Sequence, residues 1–290
     1  MEEIAPGILI ESDYPPYNLG LIDLEDGAIV VDIPPRPSHA RAWLEQVQAT
    51  VDAVRYVVIT DAQIERIVAA ALWNIPVIAS EAALRTVAKF GDRDWRDLLQ
   101  ATEDRYPEDA DLLDNVKPNP PKFAFSRRFK FHRPDPPFVF EAVPGAAPGS
   151  ITLFTPKHKL LFAGDTVSIS EPPLMHLTPD FEAWMASLET LAERTDVRHI
   201  VPGRGEAPVL RGELTAQLEF MRVVQETAHA LSVGSGSEGV GKAARELGQV
   251  FFNQRGKQAV KRLQSGLEYL IQDLRGDLLP SSAAEEEEEA

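Results

Sequence analysis

There is no cysteine among the 290 residues, so disulfides, thiolate metal sites and a thiol nucleophile are excluded. No apolar run approaches the roughly 20 residues that a membrane-spanning helix needs. Positive charge is scarce: 29 Lys and Arg stand against 45 Asp and Glu, a formal net charge of −16. The glutamates Glu285–Glu289 account for five of these charges, and −11 remains without them. Such a surface repels phosphate backbones and argues against general nucleic-acid binding. No G-x-S-x-G nucleophile elbow occurs. The six histidines (His39, His132, His158, His176, His199 and His229) show none of the close pairing of a helical or loop metal motif. No repeat at solenoid or propeller spacing appears. The start, Met1-Glu2-Glu3, lacks the basic-then-apolar pattern of a secretory leader. These absences suggest a cytoplasmic protein with no membrane partner.

What is present organises into an α/β chain long enough to bury a full core. Two β-rich runs flank Glu25-Asp26-Gly27 within Asn18–Ile33, the pattern of a hairpin. Val54–Thr60 is a run of buried-strand length, apolar from Tyr56 to Ile59, and Ile64, Ile67, Val68 and Ala71 then recur at helical spacing. Ser38–Val51 reads as a helix capped by Ser38, and Glu81–Phe90 as another. The stretch 92–121 is acidic and then proline-rich, ending Lys117-Pro118-Asn119-Pro120-Pro121. Pro179–Thr195 is amphipathic through Phe181, Trp184, Leu188 and Leu191. Beyond Pro208, helices are expected over Leu214–Leu231 and Lys242–Leu274, the latter interrupted near Gly256. Leu263, Leu267, Leu270, Ile271 and Leu274 form a stripe that serves either core packing or a helical partner. The expected division is 1–208 as the main domain, 209–276 as a helical extension and 277–290 as a solvated acidic tail.

Several segments, in order between Ile8 and Pro208, resemble the metallo-β-lactamase superfamily. Thr60-Asp61-Ala62-Gln63-Ile64-Glu65-Arg66 is similar to Thr-His-x-His-x-Asp-His, with every histidine replaced. Val143-Pro144-Gly145-Ala146-Ala147-Pro148-Gly149-Ser150 is similar to Pro-Gly-His-Thr-Pro-Gly-Ser, with alanine at the histidine. Leu160–Thr166 keeps its strand and the aspartate Asp165. Ile200-Val201-Pro202-Gly203-Arg204-Gly205 has arginine at the last histidine. Asp32 stands where the family keeps a buried structural aspartate. The resemblance implies a four-layer αβ/βα sandwich with a helical C-terminal extension.

It also implies two zinc sites, and position by position neither can form. The first would draw on Asp61, Gln63 and Ala146, the second on Glu65, Arg66, Arg204 and Asp165. Alanine has no donor atom, and arginine stays protonated and offers no lone pair. Without bound zinc no water has its pKa lowered, so the inherited hydroxide nucleophile has no source. A guanidinium can instead bond a carboxylate in bidentate fashion. The residues therefore point to an ion-paired network of Asp61, Glu65, Arg66, Asp165 and Arg204 in a non-catalytic binding or regulatory module with no cofactor. Its partner would be an unknown protein or an anionic small molecule received by Arg66, Arg204 and His176. A homo-oligomer is compatible with the same sequence. The alternative is a hydrolase acting on an ester, thioester, lactam or phosphoester. Its Mn, Mg or Zn ion would sit on the oxygen ligands Asp61, Glu65 and Asp165, against the repulsion of two arginines.

Three further features read as structural. Gly236–Lys242 has the spacing of a phosphate-binding loop, but Ala243 replaces the Mg²⁺-binding hydroxyl and Glu238 lies inside it, so a Gly/Ser connector is expected. His158, in the Pro156–Lys159 turn, reads as solvated, and His199 as packing locally. Arg127, Arg128, Lys130 and Arg133, interleaved with Phe129, Phe131 and His132, are expected to cover an edge strand.

Overall fold

The computed structural model describes residues 1–132, 137–233, 238–253 and 257–277. Alternation builds its first sheet. In the strand β4 (Ala28–Val31), Ile29 and Val31 point to one apolar cluster while Ala28 and Val30 point to another, as the two-residue period of a strand requires. Seven strands join in sequence order: β1 (Glu2–Ala5), β2 (Ile8–Glu11), β3 (Leu19–Ile22), β4, β5 (Val54–Val58), β6 (Val77–Ser80) and β7 (Phe123–Phe125). The first four are antiparallel neighbours, and β4 to β7 run parallel. The helices α1 (Pro37–Gln48), α2 (Ile64–Trp73), α3 (Glu81–Ala88) and α4 (Asp92–Arg105) follow between these strands. Trp43, Val47, Ile67, Ala70, Val87 and Trp95 pack with the outward face of this sheet.

Among the described residues the second sheet has six strands: β8 (Arg128–Phe131), β9 (Phe138–Ala142), β10 (Ile151–Thr155), β11 (Leu160–Ile169), β12 (His199–Gly205) and β13 (Val209–Leu210), again in sequence order. Only β11 and β12 are parallel, joined across α5 (Phe181–Glu193). Ile8, Ile22, Ile29 and Val58 of the first sheet meet Phe138, Phe140, Leu153 and Phe162 of the second in one dry layer. The outer face of the second sheet is covered by α5, α6 (Leu214–Ser232), α7 (Glu238–Phe252) and α8 (Lys257–Arg275). The four-layer αβ/βα sandwich is therefore present, with its C-terminal helices sharing the core of the second sheet.

Several boundaries differ from those expected. Ser38 is not the cap of α1: Pro37 occupies the first turn, where its missing N–H costs nothing, and the Ser38 hydroxyl donates to Asp109. The cap of α3 is Ser80, which accepts from the Ala83 amide, and that of α5 is Asp180. Helix α7 begins at Glu238 rather than Lys242, so part of the presumed connector is helical; Gly236, Ser237 and Gly256 lie outside the described residues. Leu263, Leu267, Leu270 and Ile271 are buried in the core, which answers the stripe by packing, while Leu274 is exposed. Strand β8, which carries the basic-aromatic pattern, is itself one edge of the second sheet rather than the cover of one, and β9 lies inside it; Arg133 and Pro136 are outside the described residues, as are Ser281–Ala290. His158 is half-buried, with burial and then Lys157 pushing its pKa down. Among the described residues no helix is long and apolar enough to cross a membrane.

Gly20 shows how closely the sheets approach. A Cβ there would lie 2.5 Å from the Phe162 ring. Gly20→Ala should lower stability by about 1–3 kcal/mol through overpacking, read as a shifted urea midpoint. Adding Phe162→Leu should recover part of that loss; purely additive effects would show that the two residues do not share the space.

Candidate functional site

The carboxylates converge because each lies beyond the end of a strand or at a break within one. Asp32 follows β4 with a left-handed φ of 59°, a conformation aspartate tolerates better than most residues. Its Oδ1 accepts from the Thr60 amide at 3.0 Å and its Oδ2 from the Thr60 hydroxyl at 2.7 Å. Asp61 precedes α2 and accepts from the Gln63 amide at 2.9 Å, where the helix N-terminus favours negative charge. Asp165 sits in a register break, since Gly164 pairs with Pro202 but the next pair is Ser168 with Arg204; bulges of this kind re-aim side chains. Gln217 of α6 pins the break, donating to the Thr166 carbonyl at 3.2 Å and accepting from the Ser168 amide at 3.0 Å.

Arg66, in the first turn of α2, fills the space between these acids. Its Nε donates to Asp32 at 3.0 Å, its Nη1 to Asp61 at 2.8 Å, and its Nη2 to Asp165 Oδ1 at 3.0 Å. Nη1 also donates to Asp165 Oδ2 at 3.3 Å, which completes a bidentate pair. The Gln63 carboxamide joins Asp61 at 2.7 Å and Asp165 at 2.9 Å. Arg204 adds its Nε to Asp165 Oδ2 at 3.0 Å. Both guanidinium carbons lie over the Tyr17 ring, at 4.0 and 4.8 Å from its centroid, within cation–π range. The Arg66 side chain is 0% exposed, Asp165 1% and Arg204 4%.

The expected set is thus brought together in part. Asp61, Gln63, Arg66, Asp165 and Arg204 share one buried network. Glu65 does not join it: its carboxylate pairs with Arg105 of α4 and accepts from the Tyr17 hydroxyl. Helical geometry explains the difference, since neighbouring residues on a helix point to different sides. Ala146 is fully buried in its loop, which is tied to the site through the Ala62 amide and Pro148 carbonyl at 2.9 Å. His176 lies in a short 3₁₀ turn (Met175–Leu177), half-buried, with its Nδ1 enclosed and unpartnered among the described residues.

Tyr17 and Asn18 were not singled out as site residues by the sequence. Asn18 Nδ2 donates to the Pro202 and Gly205 carbonyls, each at 3.0 Å, and so holds the loop that presents Arg204. Only the Tyr-Pro-Pro-Tyr-Asn segment before the hairpin could have hinted at this. Stretch 92–121 is anchored rather than loose: Asp109 accepts from Arg36 and Ser38, and Trp95 packs into the first core.

Burial works against every charge here, and the outcome depends on each group's neighbours. For Asp165, burial is overcome by the charges of Arg204 and Arg66 and by hydrogen bonds from Arg66 and Gln63, which hold its carboxyl well below the usual range. Burial also opposes the Arg66 charge, but Asp165, Asp32 and Asp61 hold it protonated. Three carboxylates face two guanidinia, so one negative charge is in excess. Burial, together with Asp165 and Asp32, pushes the Asp61 carboxyl up to about 6 against the pull of Arg66.

The sequence pattern of the metallo-beta-lactamase superfamily matches residues 15–203. The chain belongs to that superfamily. No curated protein matches the sequence. Among solved structures, a metallo-β-lactamase family protein from Thermus thermophilus is similar at 19% identity and a TM-score of 0.65, over 93% of this chain and 95% of that one. The DIM-1 metallo-β-lactamase is similar at 15% identity and a TM-score of 0.55, over 77% of this chain and 96% of the other. A double mutant of the sec-alkyl sulfatase PisA1 is similar at 16% identity and a TM-score of 0.65, over 97% of this chain but 51% of its own. At such identities the likeness concerns the fold alone.

The residues of this superfamily member do not fit the zinc ions that the fold implies. Ala146 offers no donor, and the Asp61 and Asp165 oxygens already accept from Arg66, Arg204 and Gln63. Among the described residues no group of three or more histidines, aspartates or glutamates is arranged to hold a metal ion.

The buried charges set the expected behaviour of two variants. Arg66→Met should cost on the order of 3–5 kcal/mol, because it strands buried carboxylates; chemical denaturation measures it, and a change within error would show the network to be dispensable. For Asp61, the folded pKa lies above the unfolded one, so its stabilising contribution is complete below about pH 4 and disappears as pH rises through about 6. Asp61→Asn should therefore gain on the natural protein by on the order of 2 kcal/mol between about pH 4 and about pH 8. Parallel stability curves for the two proteins would contradict this assignment.

Proposed function

We propose that this superfamily member performs no zinc-dependent hydrolysis and serves as a binding or regulatory module on the metallo-β-lactamase scaffold. The observation that carries this reading is the position of the Arg66 guanidinium, fully buried and bonded to Asp32, Asp61 and Asp165. A catalytic zinc site keeps one coordination position open for water. Here a tethered cation engages the acids from within the chain, and Arg204 adds a second one to Asp165. Neither guanidinium can polarise a water as a Lewis acid does, and neither has a proton to give up at working pH.

The pairing also supports the absence of a rebuilt oxygen-ligand site. Glu65 is engaged with Arg105 and Tyr17, so Asp61, Glu65 and Asp165 do not act as one ligand set. A divalent ion would have to displace Arg66 from a closed layer and leave that charge without its three partners. The opposing desolvation costs several kcal/mol per ion.

Metal content of the purified protein decides the matter, measured by elemental mass spectrometry after incubation with Zn²⁺, Mn²⁺ or Mg²⁺ and desalting. The expected result is near-zero metal per chain. Restoring the donors, with Asp61→His, Gln63→His and Ala146→His together with Arg66→His and Arg204→His, should bring zinc uptake if the variant folds. Stoichiometric metal in the natural protein that vanishes on Asp165→Ala would overturn the reading in favour of a hydrolase.

A further inference from the structure

We propose that Arg204, assisted by His176, forms a recognition site for a ligand carboxylate at the edge of the buried ion-pair core. This deepens the binding-module reading and rests on it, since a metal on Asp165 would compete for the same charge.

The two arginines of the network are not equivalent. Arg66 is bonded through all three of its nitrogens and has no exposed surface. Arg204 commits only its Nε, to Asp165. Neither of its Nη atoms has a hydrogen-bond partner among the described residues, although the side chain is nearly as buried, with 4% left open. The exposure that remains to the side chain reaches these two Nη atoms, which are not among the enclosed polar atoms without a partner, so a ligand can meet them from outside. The stack on Tyr17 and the bond to Asp165 fix the plane of the group, so its two Nη atoms form a preoriented fork. A fork of that kind matches the two oxygens of a carboxylate.

His176 supplies the second element. Burial first, and then Arg262 and Arg204, lower its pKa, which places it within the field of both arginines. Its Nδ1 is enclosed and unpartnered among the described residues. The turn that carries it is held against α8: the Tyr269 hydroxyl donates to the Thr178 carbonyl at 2.7 Å, and Arg262 donates to the Pro172 carbonyl at 3.0 Å. The imidazole is therefore fixed in place without having spent its own hydrogen bond.

Charge selects the class of anion. Beneath Arg204 lie three carboxylates and the Arg66 guanidinium, so that with Arg204 itself counted one negative charge is in excess. A singly charged, planar carboxylate adds the least repulsion while using both Nη atoms. A phosphate dianion adds more, and the 4% of the Arg204 side chain left exposed favours contact through an end group.

The test is a titration with acetate, followed by thermal unfolding and by the side-chain resonances of ¹⁵N-arginine-labelled protein, with chloride at equal ionic strength as reference. Acetate should stabilise the protein saturably and shift one buried guanidinium. Arg204→Lys keeps the charge but removes the fork, and should weaken the response roughly tenfold or more. His176→Ala should weaken it less, and Arg222→Gln on the exposed face of α6 should leave it unchanged. Should Arg204→Lys fail to fold, His176→Ala carries the test alone. A response to acetate no larger than that to chloride would overturn the site, as would one that survives both site variants. Inorganic phosphate binding more tightly than acetate would overturn the choice of carboxylate. Any of these results with near-zero metal per chain leaves the non-metal reading standing, whereas stoichiometric metal ends that reading by itself.

Discussion

The bonds from Arg66 to Asp32, Asp61 and Asp165 are the constraint on which the site depends. Asp32 and Asp61 follow strands of the first sheet and Asp165 lies within the second, so one side chain ties both halves of the sandwich at their shared edge. In water such pairs contribute little, because solvent screens them and two long side chains must be ordered. Inside, removing water from each charge costs several kcal/mol, and only complete hydrogen bonding recovers it. That requirement explains the surrounding detail. Gln63 bridges two of the acids, Thr60 saturates Asp32, and Tyr17 offers its ring to both guanidinia. Gly203 has no side chain because a Cβ there would lie 2.4 Å from Asp165 Oδ1.

Much of the fold was legible because the superfamily's strand ends and loops keep their sequence even where their ligands have changed. Gly164-Asp165 and Pro202-Gly203 encode backbone geometry, a left-handed turn at Gly164 and a close approach at Gly203, and geometry is retained whatever the side chains do chemically. The charge character of the site was legible for the same reason: each replaced ligand could be read in place. Which acid met which base was not. Glu65 lies one residue from Arg66, and only the helix's rotation sends it outward to Arg105, forty residues away in sequence. Tyr17 left only the faint hint of its Tyr-Pro-Pro-Tyr-Asn segment, because a tyrosine before a hairpin carries no chemistry that names its partners. Gln217 was hidden by distance, since its role depends on where α6 docks on β11. Ser38 misled because a serine at a helix start suggests a cap, and here its hydroxyl serves Asp109 from another segment.

On the proposed function, exchanging a metal ion for guanidinia changes more than the presence of a catalyst. A zinc ion accepts lone pairs from several directions and can hold one ligand loosely, which is what makes it useful. A guanidinium donates in one plane, along fixed directions, from a side chain that cannot leave. Carboxylates that bond it are therefore held in a single arrangement. Asp165, at the meeting point of both arginines, is held well below the usual carboxylate range, while Asp61 is pushed above it. The network is thus electrostatically uneven, and its unevenness marks where it can still respond to its surroundings.

On the proposed reading, that response lies at the rim. A closed network of this kind has nothing to offer a ligand at Arg66, whose nitrogens are all engaged. It has something to offer only where a charge is held in place but not yet saturated, and Arg204 meets that description through its single bond to Asp165 and its stack on Tyr17. Preorganisation is what makes such a group useful for recognition: the entropy of fixing the guanidinium has been met in folding, so a ligand gains its hydrogen bonds without ordering the side chain. The same residues that remove the open coordination position of a hydrolase thereby hold a rigid donor pair at the site's edge. Binding at this centre does not require the zinc chemistry for which its fold is known, because orientation and charge are already supplied by the chain.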